Sequence, residues 1–172
     1  KSLKGSKYSI KNWIESMDYI SNNSVDDSKI NYWIVSSNPS LYDSVSGFHE
    51  YSEIDWGNAS NNKINVGDIV YIYISKPIQK IRIKTVVTKN NYGKDELLSD
   101  EGQFNQDDRE GICENFIRLK LINFIDSNFL GINDLHKNGI NGNIQGKRRV
   151  SVDTLSYIQY HENDANSPAY LI

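Results

Sequence analysis

One cysteine, Cys113, stands in the 172 residues, so the chain can form neither an internal disulfide nor a thiolate metal cluster. Histidine is almost as scarce. His49, His136 and His161 are the three, and none lies at metal-ligand spacing from another histidine, a cysteine or a carboxylate. No apolar run approaches the length needed to cross a bilayer, and no signal-peptide pattern is present, so a cytoplasmic protein without membrane contact is expected. Positive charge is not in excess either. Nineteen Lys and Arg against 22 Asp and Glu give a net charge of −3, which excludes a protein that coats nucleic acid with a uniformly basic surface. Also missing are a Walker A loop, a GxGxxG after a strand and a GxSxG elbow. Ser37 and Ser75 have no histidine in a partnering context, and the Asp107-Asp108 pair reads as solvated loop. Catalysis within the chain, a cofactor and a bound metal are therefore not expected.

What is present suits one compact domain: 38% hydrophobic and 24% charged residues over 172 positions. Charge is segregated along the chain. Lys63, Lys76, Lys80, Arg82, Lys84, Lys89 and Lys94 meet the single acid Asp68. An acidic stretch from Asp95 to Glu114 follows, and Lys147, Arg148 and Arg149 restore the positive sign. Such patches are either solvated surface or the track of a phosphate backbone. The chain begins at Lys1 rather than Met, which leads us to expect a piece of a longer protein whose catalytic partner lies elsewhere.

The spacing of Ile10, Trp13, Ile14, Met17 and Ile20 predicts a helix over Ser9 to Asn22, followed by a polar connector to position 29. A short apolar strand from Ile30 to Ser36 ends at Asn38-Pro39. Ser40 to Tyr51 reads as one or two short helices, and Asp55-Trp56-Gly57 as a turn opening a polar loop to Lys63. Asp68 to Ser75 is apolar on both faces, the mark of a central buried strand. Gln79–Lys89 and Asn115–Ile125 alternate apolar and polar, as half-buried strands do. Asn90 to Glu114 is weakly patterned and reads as a loop or lid. Asp134–Lys137 is a helical turn closed by Gly139, a glycine-rich loop runs to Arg149, and a last helix spans Ser151 to His161 with Val152, Leu155 and Ile158 inward. This order predicts a mixed α+β domain: a small distorted β-barrel flanked by helices. The expected boundaries are 1–29 for the leading helix and connector, 30–162 for the domain and 163–172 for a tail.

The motifs YWIVSSNPSLYD, FHEYSEIDW and VGDIVYIYISKPIQKI, in that order, resemble the EVE domain of the PUA-like superfamily. The segment IQGKRRVS before the closing helix resembles that family's Arg-Xaa-Ser segment beside its pocket. Together the likeness covers roughly Ile30 to Ile158. The layout is also similar to the YTH domain, a reader of methylated adenine in RNA. The resemblance implies that Ser36, Ser37 and Asn38 lie at a pocket mouth, that Trp56 forms an aromatic wall, and that Tyr73 and Ser75 lie near the end of the central strand, with Arg149 on the final loop. YTH-like domains carry further tryptophans on the loop after the third strand, where this chain offers Tyr92 and Phe104. EVE-like modules in bacteria are often fused to nucleases that restrict modified DNA. The implied partner is thus double-stranded DNA carrying a modified cytosine or adenine, beside a fused or associated nuclease.

The residue chemistry agrees with that implication. A flipped base needs flat aromatic faces and a few polar groups that read its edge. Trp33, Tyr42, Trp56, Tyr73, Tyr92 and Phe104 offer faces, while Ser36, Ser37, Asn38, Asp55 and Ser75 offer donors and acceptors. Lys76, Lys147, Arg148 and Arg149 are the candidate phosphate contacts. Each residue also has a plainer reading: Trp33 and Tyr73 as core, Asp55 and Asp68 as turn residues, Arg148 and Arg149 as solvated charge. The competing functions are an RNA reader of the same fold and a small-molecule or protein-interaction module.

Overall fold

The computed structural model describes residues 30–58, 63–98 and 114–163. The helix expected over Ser9 to Asn22, the tail from position 164 and Phe104 lie outside them. Six strands form one mixed sheet in the order β2-β5-β4-β3-β1-β6: β1 (Tyr32–Ser37), β2 (Glu53–Gly57), β3 (Ile69–Ile74), β4 (Lys80–Tyr92), β5 (Phe116–Phe124) and β6 (Lys147–Arg149). β1 and β3 are parallel neighbours, and the other neighbours are antiparallel.

Both faces of the sheet are buried, and alternation along the strands assigns each side chain to one of them. Trp33 and Val35 on β1, with Val70, Ile72 and Ile74 on β3, belong to an inner cluster completed by Ile54, Ile83, Val87, Ile117, Leu119 and Leu121. Phe48 of α1 (Ser44–Glu50) closes this cluster. The intervening positions Ile34, Ile69, Tyr71 and Tyr73 face outward into a second cluster, covered by Leu135 of α2 (Ile132–Lys137) and Ile158 of α3 (Val152–His161). All six β3 residues are buried, which is why that stretch reads as a continuous apolar run.

The sheet curls. Flat, its five inter-strand gaps of about 4.8 Å would hold the two edge strands about 24 Å apart. Yet Lys147 of β6 hydrogen-bonds Asn58, immediately after β2, at 2.8 Å, while the Asn58 N–H still donates to Asn115 beside β5. Register shifts in β3–β4 and β4–β5 supply bends of the kind that tighten a sheet. The expected barrel is therefore a strongly curled open sheet, whose edges are joined by a side-chain contact rather than a backbone ladder.

Four local expectations change, the first being that the loop read from Asn90 onward starts later, because β4 runs on to Tyr92 and pairs it with Phe116. Asp55-Trp56-Gly57 is not a turn but the end of β2, paired to Arg118, Ile117 and Phe116. Lys147–Arg149 forms a short strand on β1 rather than remaining loop. Val152 is 79% exposed at the first position of α3, where the helix has not yet reached the sheet; Ile158 carries the packing instead. Ser151 caps that helix as its sequence position suggests, accepting from the Thr154 N–H. Gly139 adopts φ +98°, and a Cβ there would meet Thr154 Oγ1 at 2.6 Å, so glycine is required where α2 turns toward α3.

Candidate functional site

The gap between the two edge strands gathers an indole, a buried amide and an ammonium. Trp56 shares the inner face with Ile54 and is half-buried against the inner cluster. Two residues on, Asn58 is 3% exposed and its Oδ1 accepts from Lys147 Nζ. Lys147 stands opposite Val35 on β1, which places it on the inner face too. Burial lowers its pKa below the ordinary lysine value, and the positive charge of Lys63 lowers it further. This seam therefore combines a flat aromatic surface with hydrogen-bonding groups and one partly desolvated cation, Lys147, within the field of a second, exposed one, Lys63. Such a set can stack a planar ring and bind an anionic or carbonyl-bearing edge.

Beside Trp56, but facing outward, Asp55 is committed to structure. Its carboxylate accepts from Arg118 Nε at 2.9 Å, from the Tyr92 hydroxyl and from the Leu98 N–H. The Arg118 guanidinium also donates to the Glu96 carbonyl at 2.8 Å and lies over the Tyr92 ring, 5.2 Å from its centroid. Burial, and then the Asp55 hydrogen bond, push the Tyr92 phenol above its usual range. Tyr92 and Asp55 thus anchor the chain through the 3₁₀ turn Lys94–Glu96, and three donors already occupy the carboxylate.

At the carboxyl ends of the parallel strands, Ser36, Ser37, Asn38 and Ser75 come together. The Ser75 N–H donates to the Ser37 carbonyl at 2.8 Å. Ser37 is buried, accepts from Ser44 Oγ at 2.9 Å and faces the inner cluster. Ser36 Oγ accepts from the Gly146 N–H at 2.9 Å, knitting the loop before β6 to β1. Asn38 closes its own turn by accepting from the Ser40 N–H.

The sheet divides the remaining expected site residues. Trp33, Tyr42 and Trp56 belong to the inner side, whereas Tyr73 is buried in the outer cluster, so Tyr73 and Trp56 cannot face one ligand. Trp33 is 6% exposed and its indole N–H donates to the buried Asp68 carboxylate at 2.9 Å. Asp68 also accepts from the Asn31 and Asn65 N–H groups, fixing the turn into β3. Arg148 donates to the Asn141 carbonyl, Arg149 to the Asn31 side chain, and Lys76 is exposed on the β3–β4 turn. Reading the sequence missed Asn58 and Arg118. Asn58 sits in a polar run that looks like any loop, and Arg118 occupies the solvent-facing phase of an alternating strand. Among the described residues no three His, Cys, Asp or Glu side chains gather to hold a metal ion, and no helix is long and apolar enough to cross a membrane.

No protein-family model and no curated protein matches the chain. Solved structures share its fold at low identity. The crystal structure of ASCH from Zymomonas mobilis aligns with a TM-score of 0.56 at 10% identity, covering 76% of this chain and 94% of that one. A hypothetical protein from Leishmania major aligns at 0.56 with 17% identity, covering 78% and 96%. A Pseudomonas putida protein aligns at 0.54 with 16% identity, covering 75% and 97%. At these identities the likeness establishes the fold alone, a mixed α+β fold shared with the Zymomonas mobilis ASCH structure.

Proposed function

We propose that this domain is a nucleic-acid reader that takes a single modified base into the seam between β2 and β6, and that it acts by binding rather than catalysis. The observation that carries this reading is the contact of Lys147 with Asn58 across the seam, with Trp56 on the same face two residues before Asn58. Trp56 supplies the stacking face, Asn58 and Lys147 the groups that meet the base edge, and Lys63 a cation for the adjoining phosphate. The EVE-like motifs favour a modified cytosine or adenine in double-stranded DNA over RNA, and targeting of a fused or associated nuclease in a restriction or defence protein. No described helix carries an exposed Arg, Asn or Gln array suited to the major groove, which favours extrusion of the base over reading it in place. A panel of duplexes, identical but for one base modification and titrated at several salt concentrations, tests the proposal. One modification should bind more tightly than its unmodified twin, with a salt slope common to both. A panel without any preference would refute modified-base reading, and an RNA counterpart binding more tightly would move the assignment to RNA.

A further inference from the structure

On the far side of the sheet from Trp56, aromatic rings collect at the surface rather than in the core. His161, at the end of α3, is the hub. Its ring centroid lies 4.9 Å from Phe129, 4.5 Å from Tyr157 and 4.8 Å from Tyr160. The Tyr157 hydroxyl donates to the Phe129 carbonyl at 2.8 Å, pinning the loop after β5 to the helix. Phe129 is nonetheless 50% exposed and Tyr160 75% exposed. Neither exposure is needed for the fold, since Ile158 on the same helix does the packing.

Charge beside the cluster indicates what covers it. Arg82 is matched by Asp126 at 3.7 Å and Lys84 by Glu162 at 2.8 Å. Lys80 instead hydrogen-bonds the neutral side chain of Asn128, the residue before Phe129, at 3.2 Å, so among the described residues no carboxylate matches its positive charge. Flat exposed rings beside an unmatched ammonium suit a strand of unpaired nucleotides, whose bases stack while a phosphate meets the cation. An apolar protein partner would gain nothing from Lys80.

We propose that Phe129, Tyr160 and His161, with Lys80, form a second nucleic-acid contact that holds unpaired nucleotides flanking the target; this rests on the reading of the domain as a nucleic-acid binder. The test compares a blunt duplex, the same duplex with a six-nucleotide 3′ thymidine overhang, and a twelve-nucleotide oligothymidylate. Proteins are the unaltered chain, Tyr160→Ser, Phe129→Ser/Tyr160→Ser and the seam variant Trp56→Leu, with circular dichroism confirming the fold. The overhang should tighten binding, and the double variant should erase about five- to hundredfold of affinity for the overhang duplex and oligothymidylate, while leaving the blunt duplex unchanged. Overhang affinity unchanged in Tyr160→Ser and in the double variant would overturn the platform and leave the seam reading intact. Platform-dependent binding of oligothymidylate, with no base selectivity and no effect of Trp56→Leu, would support the platform and defeat the seam. Absence of binding to all three nucleic acids by the unaltered chain would overturn both.

Discussion

Lys147 Nζ donates to Asn58 Oδ1 at 2.8 Å, joining the strands at opposite edges of a six-stranded sheet. That ammonium is partly buried and lies near Lys63, and both effects lower its pKa. Nucleic-acid affinity should therefore begin to fall at a pH below the ordinary lysine value of 10.5, as Lys147 loses charge ahead of other lysines. For folding the sign is opposite: the folded state binds the proton less tightly, so this residue's contribution to stability improves as pH rises through that window. Lys147→Arg should hold affinity level across the same range, measured by fluorescence anisotropy. An unchanged alkaline profile in Lys147→Arg would separate Lys147 from the ligand.

Asp55→Asn should cost about 3 kcal/mol of stability in urea denaturation, because it leaves the Arg118 guanidinium without its carboxylate. The two side chains are only 16% (Arg118) and 8% (Asp55) exposed, so water cannot take over the lost interaction. The variant should retain its preference among modified bases wherever it is folded. A stable variant with altered preference would instead place Asp55 on the base.

Tyr71 is fully buried, its hydroxyl donates to Glu162 at 2.8 Å, and burial then the Glu162 charge raise its pKa far above 10.0. Its contribution is present below pH 10.0, the unfolded value, and is lost as pH rises beyond it, because the unfolded chain releases the phenolic proton and the folded chain does not. The expected loss is about 1.4 kcal/mol per pH unit. Tyr71→Phe should lower stability at neutral pH by about 1 kcal/mol and flatten that alkaline decline. Equal slopes in both proteins would show that Tyr71 ionises as readily folded as unfolded.

If the base is extruded, pairing in the duplex opposes binding. Affinity should rise when the modified base faces a mismatch or an abasic site, since less unpairing is needed. A fluorescent base analogue at the target should brighten on binding. Equal affinity opposite a match and a mismatch, with a silent analogue, would favour reading in the groove.

Much of the sheet was legible in the sequence, because its strands carry strong patterns. β3 is apolar on both faces and is buried on both, while β4 and β5 alternate as half-buried strands should. β2 and β6 escaped for a common reason. Each is an edge strand held by a single neighbour, so its sequence answers to one ladder and tolerates Asp55, Gly57 or three consecutive basic residues. The site was half legible. Trp56 and Lys147 stood out by type, but their meeting place depends on the curl of the sheet, a long-range property with no local signature. Tyr73 looked like a companion to Trp56 only because strand phase does not reveal which face each strand presents until register is known.

The central claim is that Trp56 carries base recognition at the seam. Its direct test is the ratio of dissociation constants for unmodified and modified duplexes, measured in the unaltered chain and in Trp56→Leu, which keeps apolar filling but removes the stacking face. Loss of one stacked base is worth about 1–3 kcal/mol, so the ratio should collapse about five- to hundredfold toward unity, while affinity for the unmodified duplex changes little. A ratio preserved in Trp56→Leu would contradict the account and leave Trp56 a packing residue of the inner core.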